Sequence, residues 1–229
     1  IKFLRSYGPT PNKTTLFDEY VTGALGKAKV EPITLSSPEL ERIKKRLASG
    51  ASGSILIAGT AGDGKTYHCR SLWTELGGAP QHWAEPSAVK EVTLGDGRIA
   101  TFIKDLSELT PEQSDATLAL LEDSVLGAED AKFLVVAANH GQILERLRDL
   151  GIRQNRIHPL RKPIQDAFLQ AGAAPERLAI FDLSRATHRD TLGEVLSAVA
   201  NHPGSGKCGG CSQQEGAAVC PIYENRNRL

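Results

Sequence analysis

A chain of 229 residues, 40% hydrophobic and 24% charged, suits one large domain, or one domain with a small appendage, and can bury a core without staples. Twenty-seven basic residues balance twenty-seven acidic ones, which excludes a polycationic coat but leaves room for a local basic patch. The longest apolar run, Phe133 to Ala138, is six residues against the ~20 that span a bilayer, and no charged-then-apolar leader opens the chain, so a soluble, cytoplasmic protein is expected.

Residues 1–35 read as an N-terminal arm, broken by Pro9, Pro11 and Pro32, with Leu16 to Leu25 as a short helix. Ser36-Ser37-Pro38-Glu39 carries a helix start, and Leu40, Ile43 and Leu47 share one face of the helix that follows. Ser54 to Ala58 is a short apolar run of the buried parallel-strand type. A glycine-rich turn leads from it into a helix over 65–76, and residues 77–91 look irregular. Residues 92–94 and 99–103 flank Gly95-Asp96-Gly97 as a hairpin. Leu118, Leu121 and Val125 mark a helix, and Phe133 to Ala137 a strand. Helices follow over 141–150 and 164–171, then a strand over 178–181 and a helix over 189–200. Apolar strands alternating with helices predict an α/β three-layer sandwich around a mostly parallel sheet, spanning 36–200. From Asn201 the composition turns to Gly, Cys and polar residues, so 201–229 is read as a Cys-rich tail. The start at Ile1 and the lack of any Met lead us to expect a fragment of a longer protein.

Gly59-Thr60-Ala61-Gly62-Asp63-Gly64-Lys65-Thr66 matches G-x-x-x-x-G-K-S/T at every fixed position, with a strand before it and a helix after it. Glycines let successive backbone N–H groups line a polyphosphate, and the helix N-terminus adds its dipole there. Lys65 would reach the β- and γ-phosphates, and the Thr66 hydroxyl would ligate Mg²⁺. The bland reading is a glycine-rich turn followed by a chance Lys-Thr.

With this motif the chain resembles the P-loop NTPases. The resemblance implies a later strand ending in an Mg²⁺-associated Asp, and Thr101-Phe102-Ile103-Lys104-Asp105 supplies one, although Lys104 stands where an apolar residue is usual. A Glu often follows that Asp directly as the general base; here the next residue is Leu106 and the nearest Glu is Glu108. Asp105 and Glu108 could instead be acids that cap the helix before Pro111. The following strand ends at Asn139, which looks like the water-orienting sensor of AAA+-like ATPases, or else starts a surface turn. Asp182 ends another strand and rivals Asp105. Asn-Lys-x-Asp, the guanine signature, is absent, which favours ATP.

Residues 146–162 hold Arg146, Arg148, Arg153, Arg156, Arg161 and Lys162 against Asp149 alone, a local charge of +5. Such a stretch serves DNA phosphates, an arginine finger toward a neighbouring subunit's ATP, a partner surface, or only a solvated face. Cys208, Cys211 and Cys220 suit Zn²⁺, with His202 as the local fourth ligand and Cys69 too remote; free thiols or a Cys208–Cys211 redox pair are the alternatives.

Taken together, the phosphate loop, Lys-Asp-Leu-Ser-Glu, Ala-Ala-Asn-x-Gly, Phe-Asp-Leu-Ser-Arg and the Cys-bearing tail look like bacterial defence-island ATPases. The similarity is to the F component of DNA phosphorothioation-dependent restriction systems. It implies a Mg²⁺-dependent ATPase acting with partner subunits, and with DNA, in antiphage defence; a homo-oligomer would suit an arginine finger. The competing reading is a nucleotide-dependent switch or scaffold with little hydrolysis. A small-molecule kinase lacks a recognisable acceptor site or lid.

Overall fold

The computed structural model describes residues 37–48, 53–127, 132–185 and 188–203, with residues 23, 25–27, 29, 31 and 33. Cys208, Cys211, Cys220 and most of the N-terminal arm lie outside the described residues. Two compact units divide the chain, Pro38–Arg185 and the residues flanking it on both sides.

In the larger unit, helix α1 (Pro38–Ala48) precedes strand β1 (Ser54–Gly59), and α2 (Lys65–Glu75) follows it. A short α3 (Pro80–Trp83) leads to the hairpin of β2 (Val89–Thr93) and β3 (Ile99–Ile103). Then come α4 (Pro111–Leu126), β4 (Lys132–Asn139), α5 (His140–Arg153), α6 (Arg161–Phe168) and β5 (Leu178–Asp182). Helix α7 (His188–Ala200), expected at the end of the core, groups with the flanking unit.

The five strands run β2-β3-β4-β1-β5. All pairings are parallel except β2 with β3, the hairpin expected around Gly95 to Gly97. Strand β2 starts at Val89, earlier than its sequence pattern suggested, because Val89 to Thr93 find register partners in Ile103 to Ile99. The span read as irregular also contains α3, whose Trp83 packs with Trp73 and Phe102 at ring-centroid distances of 6.0 and 6.3 Å.

Alternation along the strands builds both faces. Leu56, Ala58, Ile103, Leu134 and Val136 meet Leu118 and Leu121 of α4 and Ile143 and Leu147 of α5. Ile55, Ile57, Phe102, Val135 and Ala137 meet Leu40 and Ile43 of α1 and Cys69 and Leu72 of α2. A β1 buried along its whole length explains its unbroken apolar run. Truncating Ile57 to Ala there would cost about 2–5 kcal/mol. Helix α4 begins at a capping box in which Thr110 and Gln113 bond each other's backbone, an interaction worth ~1 kcal/mol. Among the described residues, no helix is long and apolar enough to cross a membrane.

Lys104 is buried yet satisfied. Its ammonium donates to the Trp83 carbonyl and, at 3.2 Å, to that of Glu85, and it lies 5.1 Å from the Trp83 ring centroid. A long amphipathic side chain therefore replaces the expected apolar one and ties the segment after α3 to the end of β3.

Candidate functional site

The C-terminal ends of parallel strands are where open α/β sheets expose loops to a ligand. Here those ends collect most of the residues singled out from the sequence. Gly59 ends β1, Asn139 ends β4 beside it as its register partner, and Asp105 follows β3 on the far side of β4.

The loop from β1 to α2 turns through Gly62 and Gly64, both at positive φ (90° and 83°), a region side-chain-bearing residues rarely enter. Gly64 is the N-cap of α2, so this left-handed residue sets the angle at which the helix starts. Asp63 Oδ2 accepts from the Thr60 backbone N–H at 2.5 Å and from Thr60 Oγ1 at 3.0 Å. Lys65 Nζ reaches back across the loop to the Thr60 carbonyl at 2.6 Å. His68 Nδ1 lies 2.9 Å from the Gly64 carbonyl, one turn into α2. Thr66 sits in the first turn of α2, and Ala61 is exposed at the loop's tip.

Burial pushes the Lys65 ammonium below its usual range, and the negative charges of Asp105 and Asp63 act against that shift. Behind it, complete burial drives the Cys69 thiol up to about 12, so it is an inert core group rather than a nucleophile. An anion entering the loop would replace the Thr60 carbonyl as the partner of a partly desolvated ammonium, a stronger exchange than the same contact in water.

Asp105 caps one short turn rather than the long helix α4. Its Oδ1 accepts from the Ser107 N–H at 2.8 Å and from Ser107 Oγ at 2.7 Å, starting a single 3-10 turn over Leu106–Glu108. Thr110, not Asp105 or Glu108, caps α4. Glu108 is exposed in that turn, whereas Leu106 is fully buried. Of the residues expected to hold a divalent cation, Thr66 adjoins Lys65 in the chain and the charge of Asp105 acts on the Lys65 ammonium. Asn139 stands at the N-cap of α5 but makes no capping bond, and its Oδ1 is buried without a hydrogen-bond partner among the described residues. A buried amide oxygen left unpaired costs about 1–3 kcal/mol, a cost that a bound water or ligand would relieve.

Asp182 occupies a different setting on the other side of β1. Its Oδ1 accepts from His140 Nε2 at 2.9 Å and from Ser184 Oγ at 2.6 Å, and Oδ2 from Arg185 Nε at 2.9 Å. Burial raises its pKa, but the bonds from Ser184 and His140 outweigh that and hold it below the usual carboxylate range. His140 was not singled out by the sequence, because its partner lies in a strand distant along the chain. The Phe181-Asp182-Leu183-Ser184-Arg185 run was the available signal.

The basic stretch does not form a bare cationic face. Arg148 pairs with Asp149 at 2.9 Å, Lys162 with Asp166 at 2.9 Å, and Arg156 with both carboxylate oxygens of Glu122 at 2.7 and 2.6 Å. Arg153 makes the same fork with Asp115, its Nε at 2.8 Å. The two forks reach acids on α4, invisible in a local charge count. Arg146 and Arg161 make no ion pair among the described residues, and Arg161 Nε is buried without a partner there.

In the flanking unit, His202 Nε2 lies 2.9 Å from the Glu31 carbonyl, to which it can donate. No cluster of His, Cys, Asp and Glu suited to a metal occurs among the described residues. No family model matches the chain, nor does any curated protein or solved structure.

Proposed function

We propose that the chain is a Mg²⁺-dependent ATPase module that binds the nucleotide's phosphates through Gly59 to Thr66. The observation that carries the reading is the convergence at one sheet edge of three groups. These are the partly desolvated Lys65 ammonium, the Asp105 carboxylate acting on it, and the unpartnered Asn139 amide oxygen. Thr66 and Asp105 would hold the Mg²⁺, which when bound screens the charge building on the phosphates. Lys65 leaves the Thr60 carbonyl for the β- and γ-phosphates. Asn139 orients the attacking water, and Glu108, three residues after Asp105, is the carboxylate available to take its proton. Mg²⁺-dependent phosphate release from ATP, assayed with and without DNA, tests this; no release under either condition contradicts hydrolysis.

One observation favours the second reading, a nucleotide-dependent switch or scaffold. The position directly after Asp105 is the buried Leu106, so no carboxylate stands there. Retained ATP binding without turnover would select it.

The wider setting we propose is a cytoplasmic subunit of a bacterial DNA-restriction complex, working with other subunits and, through them, with DNA. Cys208, Cys211 and Cys220 would close a structural Zn²⁺ site with His202 as the fourth ligand.

A further inference from the structure

The Asn139 amide is one bond along the chain from a clamp. His140 Nε2 donates to Asp182 Oδ1 at 2.9 Å, and the His140 ring packs edge-on against Phe168 of α6, with centroids 4.6 Å apart. Strands β4 and β5 lie on opposite sides of β1, so this bond crosses the end of β1. Ala58, register partner of both Ala138 and Asp182, leaves only a methyl beneath it. Ser184 bonds the same Oδ1 through its N–H and Oγ, and Arg185 pairs with Oδ2, so the acceptor is itself held in place.

We propose that His140 is a positioning residue for Asn139, clamping the ends of β4 and β5 across β1 so that the unpartnered amide is presented beside the loop that β1 feeds. The inference rests on the ATPase reading of that loop. His140 touches no reacting atom. It acts by fixing the first residue of α5 and, through it, the N-cap residue Asn139. A side chain displaced by a fraction of an ångström loses water orientation without losing nucleotide binding.

The test compares ATP turnover and ATP affinity for the wild type, Asn139→Ala, His140→Ala, His140→Gln and the Asn139→Ala/His140→Ala pair. Gln carries an amide N–H at about the reach of His Nε2 and can restore the donor. His140→Ala should lower kcat about tenfold or more with affinity changed by less than about twofold, and His140→Gln should recover most of the rate. The double variant should be no slower than Asn139→Ala alone, because both changes remove one function. A wild-type rate in His140→Ala, losses that multiply in the double variant, or equal losses for Ala and Gln would overturn the positioning role while Asn139→Ala remained slow. A silent Asn139→Ala would overturn the reading of the site itself, and the role of His140 with it.

Discussion

Asn139 and Gly59 face each other as register partners at the ends of adjacent parallel strands, so the amide and the start of the glycine-rich loop share one edge. Asp105, beyond β4, completes that edge. Asn139→Ala and Asp105→Ala should therefore each slow ATP turnover by on the order of 100-fold while weakening ATP binding much less. Steady-state kinetics alongside a nucleotide titration check this. Asp182→Ala, which strips the acceptor from His140, Ser184 and Arg185, should lower stability and slow turnover less than Asp105→Ala. Abolished turnover in Asp182→Ala with a silent Asp105→Ala would mean the wrong strand carries the site.

Protonation of His158 provides a pH signature. Its side chain is fully buried, Nδ1 accepts from the Leu160 N–H at 3.3 Å, and Nε2 lies 3.2 Å from Glu122, which Arg156 also engages. Burial lowers its pKa from 6.5, with Glu122 opposing and Arg156 assisting. The folded state thus binds fewer protons than the unfolded chain, so stability falls as pH drops through the unfolded value. Arg156 holds Glu122 below its usual range, adding a loss at more acid pH. Urea unfolding between about pH 7.5 and about pH 5.5 should show a decline that His158→Gln largely removes. An equally steep decline in the variant would assign it elsewhere.

What the sequence made legible was local. The apolar run of β1, the glycine spacing and the Lys-Thr step sit close together in the chain, and the apolar character of β3 and β4 needs no partner to be read. The forks from Arg153 to Asp115 and Arg156 to Glu122 were not legible, since each joins α5 or its following turn to α4 across the fold. The His140 to Asp182 bond was hidden for the same reason. Lys104 looked misplaced until the carbonyls of Trp83 and Glu85, which satisfy it, were brought alongside by a segment with no strong periodicity.

These forks change what the basic stretch can do. With most of its cations paired, Arg146 and Arg161 are the ones available for phosphates. Duplex DNA binding by the isolated chain should follow a log–log salt slope no steeper than about −2, at −0.9 per contact. Arg153→Ala and Arg156→Ala should lower stability and leave that slope unchanged. A slope near about −5 would show the ion pairs opening onto DNA.

For the tail, protein purified without added metal should carry about one zinc per chain, as a closed site of three thiolates and His202 requires. Elemental analysis with thiol titration checks it. Substoichiometric zinc and three titratable tail thiols would leave a cysteine-bearing segment without metal.

The proposed ATPase activity depends on the loop from Gly59 to Thr66 binding nucleotide. Titration of the wild type and Lys65→Ala with ATP, with and without Mg²⁺, measures that directly. Lys65 contributes the loop's own cation, and a charge-assisted contact with phosphate is worth about 1.5–3 kcal/mol, so Lys65→Ala should weaken binding by at least about tenfold. The wild type should bind more tightly with Mg²⁺ than without. Equal affinity in the wild type and Lys65→Ala would contradict the assignment.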